Sequence, residues 1–268
     1  MGEEQVLKFG EPDLAALCRI AELAAHEVMA VYAADIASWN KQDSSPLTNA
    51  DLRSDAVIRE GLNQAFPGVF ILSEESISGQ PSDRDTFFLV DPLDGTKEFI
   101  QRNGEFTVNI ALIHRGEPVA GVVLAPALGE LFFAARGVGA WMKAAGAVTP
   151  IRVARNVPGQ PLRVIGSRRH GGEALAAWLA RLQCEHCFVA AGSSLKFCRL
   201  AQGQADIYPR IGPTCQWDTA AGQAVLQEAG GAVLDQDGRP LAYGLLKPVL
   251  NPNFVALGDI SLSYPPLI

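Results

Sequence analysis

The apolar run Phe87-Phe-Leu-Val90 gives way to Asp91-Pro-Leu-Asp94-Gly-Thr96, which sets two carboxylates just past a stretch that reads as a buried strand. Pro92 has no N–H to extend a ladder, so the strand is expected to end there, and Gly95 permits a tight turn. Asp91, Asp94 and the Leu93 carbonyl can then converge on one point, and hard oxygen donors so arranged suit Mg²⁺ or Mn²⁺. Taken alone, the stretch is better explained as a strand-exit turn, since Asp, Pro and Gly are common turn residues.

Three further acidic sites shift the balance. Leu72-Ser-Glu74-Glu75-Ser76 again places acids after an apolar run, while Asp51 and Asp218 each open an apolar helical pattern. One by one these are solvated loop acids, helix caps or first-turn residues that complement the helix dipole. All of them following buried segments aimed at one end of a sheet fit chance less well. Thr96 begins Thr96-Lys-Glu-Phe-Ile100, a candidate helical turn whose free N–H groups would stabilise a phosphate. Several hard cations, a hydroxyl and an extra carboxylate are what hydrolysis of a phosphate ester by metal-activated water requires.

The elements that must position these residues fall into two halves. Residues 12–37 carry apolar side chains at helical spacing from Leu14 to Tyr32, and a second helix follows Thr48 and stops at Pro67-Gly68. Short apolar runs between 69 and 134, separated by turn formers, predict a mainly antiparallel meander. Beyond Pro150 strand-like and helical stretches alternate, ending with a helix over 218–229 closed by Gly230-Gly231. Turn-forming residues near 145–160 mark a boundary between an N-terminal α+β lobe, 1–150, with most of the acids, and a C-terminal α/β lobe, 151–268, with Asp218.

Composition narrows the classes. The chain has 268 residues, 48% apolar and 19% charged, which is ordinary for a globular protein. A net charge of −7 without a basic stripe argues against nucleic-acid binding. No apolar run reaches the ~18 residues needed to span a bilayer, and the acidic start is unlike a secretory signal, so a cytoplasmic protein is expected. The five cysteines lie mostly in apolar or helical patterns, which suits reduced packing residues, and Cys184 and Cys187 read as ordinary cysteines before a strand, since no second pair follows to complete a structural zinc site.

In combination the motifs are specific. Lys41-x-Asp43-x-Ser45-Pro-Leu-Thr-x-Ala-Asp51, Leu72-Ser-Glu-Glu-Ser76, the stretch 91–100, Gly192-Ser-Ser-Leu-Lys-Phe-Cys198 and Trp217-Asp-Thr-Ala-Ala-Gly222 follow one another as in the lithium-sensitive, magnesium-dependent phosphatases related to inositol monophosphatase. Over nearly its whole length the chain resembles that superfamily, and most closely its 3′(2′),5′-bisphosphate nucleotidase branch. The resemblance implies a layered α/β/α/β/α fold, two to three Mg²⁺ per site with Mn²⁺ as a substitute, and inhibition by Li⁺. It implies that Glu74, Asp91 and the Leu93 carbonyl hold one metal, that Asp91, Asp94 and Asp218 hold a second, and that Glu74 contributes to a third through water. Asp51 and Thr96 are implied to orient and deprotonate the attacking water, with Glu75 supporting the ligands from behind. Lys97-Glu98-Phe99 resembles the nucleotidase branch, and Gly95, Thr96, Ser167, His170, Ser193, Lys196, Arg210 and Asp218 are the implied substrate contacts. Arg199 stands where that branch leads one to expect an apolar residue.

The activity so implied is hydrolysis of the 3′-phosphate of adenosine 3′,5′-bisphosphate in support of sulfate assimilation, by a monomer or homodimer that is cytoplasmic or peripheral to the inner membrane. The rival within enzymes is an inositol monophosphatase or a broad sugar-phosphate phosphatase. A different class is a catalytically silent protein that binds Mg²⁺ or nucleotide, although binding alone would not call for both Asp51 and Thr96.

Overall fold

Pro12 in the first turn and the Asp13 carboxylate, which accepts the Gly10 N–H at 2.9 Å, start helix α1, Glu11–Ala33. The apolar spacing was expected to carry the helix to residue 37. It stops earlier because the chain turns extended at Ala34, and the Arg102 guanidinium takes the Tyr32 and Ala34 carbonyls, each at 2.6 Å. The structure is a computed structural model that describes residues 9–34, 38–40, 46–76, 80–81, 83–167 and 172–267. A small antiparallel pair, β1 (Ser38–Asn40) and β2 (Pro46–Thr48), leads into α2 (Asn49–Ala65), with Thr48 as its cap.

One seven-stranded sheet follows, formed by β3 (Phe70–Ser73), β4 (Thr86–Asp94), β5 (Thr107–His114), β6 (Glu117–Ala125), β7 (Glu130–Ala135), β8 (Gly139–Ala144) and β9 (Ala147–Pro150), side by side in that order. Only β3 and β4 are parallel. The short helix α3, Thr96–Ile100, leaves the end of β4. The Ala144-Ala-Gly-Ala147 break is a hairpin inside this sheet, with Ala144 paired to Ala147. β8 is only partly buried and β9 is exposed throughout, and the apolar-run reading stopped short of both.

The second half contributes β10 (Leu162–Gly166), α4 (Gly172–Leu179), β11 (His186–Ala190), α5 (Leu195–Ala201), β12 (Ile207–Arg210), α6 (Gln216–Glu228), β13 (Ala232–Asp235) and β14 (Phe254–Leu257). Its five strands lie in the order β11-β10-β12-β14-β13. The last two strands were not anticipated. Cys187 lies in edge strand β11, and both it and Cys184 are exposed.

Strand alternation explains the layering. Phe88 and Val90 of β4 face α1 and α2 together with Ile110, Leu112 and Val122. Phe87 and Leu89 face the other way, into a core shared with Phe197 and Leu200 of α5, Val225 and Leu226 of α6, and Tyr208 and Phe254 of the second sheet. Leu162, Val164 and Ile207 turn their far side to Leu175 and Trp178 of α4. The order is therefore helices, sheet, helices, sheet, helix, the layered α/β/α/β/α arrangement expected. Gly121 of β6 permits the close approach of α6, since a Cβ there would stand 2.5 Å from the Ala221 carbonyl oxygen. Arg199 ties α5 to β7 through Glu130 at 2.7 Å and lies over the Phe132 ring, which gives a charged residue a partner where an apolar one was expected.

Candidate active site

Strand β4 does not end at Pro92. Asp91 pairs with Asn109 and Asp94 with Thr107, so Pro92 and Leu93 together oppose the single residue Val108. This bulge is a position that tolerates a residue without an N–H, and it re-aims the strand's end. The Leu93 N–H bonds the Asp91 carboxylate at 3.1 Å, and the Ser54 hydroxyl of α2 donates to the Pro92 carbonyl at 2.7 Å. Because β3 runs parallel to β4, the Glu74 N–H reaches the Val90 carbonyl at 3.1 Å, which sets Glu74 beside Asp91. Asp218 arrives from the other half, in the first turn of α6, with its Oδ2 accepting the Cys215 N–H at 2.8 Å.

Carboxylate oxygens of Glu74, Asp91 and Asp218 all lie within 4.8 Å of one another. They line a cleft of about 400 Å³ together with Leu93, Asp94, Gly95, Thr96, Ser167, Ser193, Lys196 and Arg210. Asp94 is not one of the close three. Its Oδ2 accepts the Ser194 hydroxyl at 2.9 Å, and Asn109 Nδ2 lies 3.4 Å away. Glu75 does not line the cleft, and its N–H faces the Ser73 hydroxyl at 3.4 Å. His170 lies outside the described residues.

Burial pushes the Asp91 carboxyl well above its usual range, and the charges of Glu74, Asp94 and Asp218 push it further. Asp218 is raised to about 8, first by burial and then by Asp94. Three hard oxygen donors gathered where their own charges are unfavourable fit a divalent cation such as Mg²⁺ or Mn²⁺, whose charge would offset theirs.

Asp51 answers to both of its readings. As the third residue of α2 its Oδ2 takes the Thr48 N–H at 2.8 Å and the Thr48 hydroxyl at 2.6 Å, while Oδ1 lies 3.4 Å from the Thr96 hydroxyl. That hydroxyl is also 3.3 Å from the Leu93 carbonyl. Gly95, at φ 86°, makes the left-handed turn that sets Thr96 at the head of α3. Lys196 is only 6% exposed, and its ammonium donates to the Ser193 carbonyl at 2.5 Å and stands 5.5 Å from the centre of the Tyr208 ring. Burial lowers it to about 8. Arg210 donates one N–H to the Pro213 carbonyl at 2.6 Å, and its buried Nε has no hydrogen-bond partner.

Residues 10–258 match the profile of the inositol monophosphatase family. The chain belongs to that family. It is 47% identical over 242 residues to the 3′(2′),5′-bisphosphate nucleotidase CysQ of Salmonella typhimurium, covering 89% of this chain and 96% of the relative. The crystal structure of CysQ from Bacteroides thetaiotaomicron superposes with a TM-score of 0.80 at 35% identity, covering 94% of this chain and 98% of that one. An inositol monophosphatase from Anabaena superposes with a TM-score of 0.74 at 27% identity, covering 93% and 91%.

Family membership brings metal dependence, which agrees with the acidic group. In this inositol monophosphatase relative the contacts that secure Asp94 were missed from the sequence. Asn109 Nδ2 donates to the Ser194 hydroxyl at 2.9 Å, and that hydroxyl also lies 2.8 Å from the Asp218 carbonyl. A signal for Asn109 existed, because it is the amide in an otherwise nearly apolar buried strand. Among the described residues no helix is long and apolar enough to cross a membrane.

Proposed function

We propose that this protein is a 3′(2′),5′-bisphosphate nucleotidase that hydrolyses the 3′-phosphate of adenosine 3′,5′-bisphosphate to AMP and phosphate, with Mg²⁺ held by Glu74, Asp91, the Leu93 carbonyl, Asp94 and Asp218. Removal of this nucleotide supports sulfate assimilation, the role that fits its CysQ relatives. The observation that carries the reading is the meeting of two opposite charge groups in one cleft: acids at one place, Lys196 and Arg210 at another. A phosphate monoester with a single phosphate engages the first and leaves Lys196 and Arg210 without a substrate anion. A bisphosphate engages both. Trp217 and Leu250 on the same cleft offer an apolar wall to a base.

Bound Mg²⁺ would supply a nucleophilic water and offset charge on the leaving oxygen. The chain's own residues do the rest. The Thr96 hydroxyl and Asp51 orient the attacking water and receive its proton, and Asp51 is held for that task by Thr48. Lys196 and Arg210 fix the 5′-phosphate, and Ser193, Ser167, Gly95 and His170 complete the substrate contacts. Glu75 supports the ligand-bearing turn. Two to three Mg²⁺ per site, replacement by Mn²⁺ and inhibition by Li⁺ belong to the same reading. The test is phosphate release from adenosine 3′,5′-bisphosphate and from inositol 1-phosphate at matched concentrations with Mg²⁺, each with and without Li⁺. A faster, Li⁺-sensitive reaction with the bisphosphate is expected; a preference for inositol 1-phosphate, or nucleotide binding without release, would overturn it.

A further inference from the structure

Helix α2 turns three polar residues inward on one face. Asp51, Ser54 and Asp55 stand at positions i, i+3 and i+4, and they are 2%, 0% and 6% exposed. Polar groups are buried at such positions only when they are well partnered. Asp51 and Ser54 are accounted for by Thr48, Thr96 and the Pro92 carbonyl. Asp55 reaches elsewhere, to the turn that carries Glu74. Its Oδ1 accepts the Ser73 hydroxyl at 2.5 Å and its Oδ2 accepts the Ser76 hydroxyl at 2.6 Å.

We propose that Asp55 is a positioning residue for the metal ligand Glu74, acting by gripping the turn on both sides of it through Ser73 and Ser76. The inference rests on the reading of Glu74 as a metal ligand. Between the gripped residues lie only Glu74 and Glu75, and the Ser73 N–H closes the turn onto the Ser76 carbonyl at 3.1 Å. On the other side the Glu74 N–H is registered against β4. The backbone that bears the ligand is thus fixed from the sheet and from α2 at once. Short bonds from a carboxylate to hydroxyls are stronger than neutral ones, and each hydroxyl has one proton to give, so the grip is directional. Arg59, one turn along α2, comes to 4.0 Å of Asp55 and stays partly exposed, which leaves the carboxylate oriented toward the serines.

Partners behind metal ligands typically change metal affinity ~10–100-fold when removed. The decisive measurement is calorimetric titration of the metal-free, full-length protein with Mg²⁺ and no substrate, for the unaltered chain, Asp55→Ala, Asp55→Asn and Ser76→Ala. Asp55→Ala should weaken Mg²⁺ binding ~10–100-fold, Asp55→Asn by less because its carbonyl still accepts one hydroxyl, and Ser76→Ala by less again. The loss in Asp55→Ala combined with Ser76→Ala should be smaller than the sum of the single losses. In turnover assays kcat should return as Mg²⁺ is raised, with KM for the bisphosphate unchanged. A dissociation constant for Asp55→Ala within about twofold of the unaltered chain, accompanied by a lower Tm, would make Asp55 merely structural and overturn the proposal. If Asp55→Ala does not fold, Ser76→Ala at its partly buried site decides, and an unchanged Mg²⁺ affinity there overturns it equally. Failure of the unaltered chain to bind Mg²⁺ is a different result, since it removes the metal site itself and the proposal with it.

Discussion

Mg²⁺ should bind this protein far more weakly at pH 6.5 than at pH 8.5. The carboxyl of Asp218 is raised to about 8 by burial and by Asp94, so in mildly acidic solution it holds a proton that a cation must displace. For one such proton the competition factor is about 33 at pH 6.5 and about 1.3 at pH 8.5, a loss of affinity of about 25-fold, or ~1.9 kcal/mol. Asp91, raised in the same direction, steepens the trend. Titration calorimetry in two buffers of different ionisation enthalpy gives both the affinity and the protons released, and release of about one proton per site near pH 7 is expected. The stability of the metal-free protein must follow the matching sign. The folded value lies above the ordinary 3.8, so the contribution from protonated Asp218 is complete below that pH and is lost as pH rises toward about 8. In EDTA, Tm should therefore fall across this window, and Mg²⁺ should restore it most at the alkaline end. An Mg²⁺ affinity independent of pH between about 6 and 9 would refute the reasoning, because it would mean that the acids were never held protonated.

Asp218→Asn should abolish turnover while leaving Tm in EDTA unchanged near pH 7, where the Asp218 carboxyl already holds a proton, and raised above about pH 8, where a neutral amide replaces a charge; retained activity would contradict the metal assignment. Lys196→Met should lower kcat/KM for adenosine 3′,5′-bisphosphate by ~10–100-fold, the worth of a hydrogen bond to a charged group, while slow hydrolysis of inositol 1-phosphate stays unchanged. Equal losses on both substrates would show that Lys196 serves the fold and not the second phosphate. Gly121→Ala should cost ~1–3 kcal/mol, read as a lower midpoint in urea, because the new methyl group meets the Ala221 carbonyl oxygen and pushes α6 off the sheet.

Much of the architecture was legible because it is local. The spacing in α1 and α2, the apolar runs of β3 to β7, the cap at Thr48 and the first-turn acid Asp218 identify element types with short-range physics alone. The strands that escaped, β8, β9, β13 and β14, are partly or wholly exposed (β8 and β9) or only four residues long (β13 and β14), so their pairing is set by neighbours and not by their own pattern. Pro92 misled for a related reason. A proline denies one ladder bond, but a bulge lets the strand continue, and only the register against Asn109 and Thr107 reveals it.

The acidic positions, the hard-cation chemistry they suit and the family motifs were already in the amino-acid order, since residue type and spacing state what a group can donate or accept. What the order does not contain is distance. That Glu74, Asp91 and Asp218 come within 4.8 Å while Asp94 is drawn toward Ser194, that Lys196 is buried over Tyr208, and that Asp55 grips the turn around Glu74 all follow from packing two sheets against shared helices. Periodicity tells which face of an element is buried. Only the folded chain decides what that face meets.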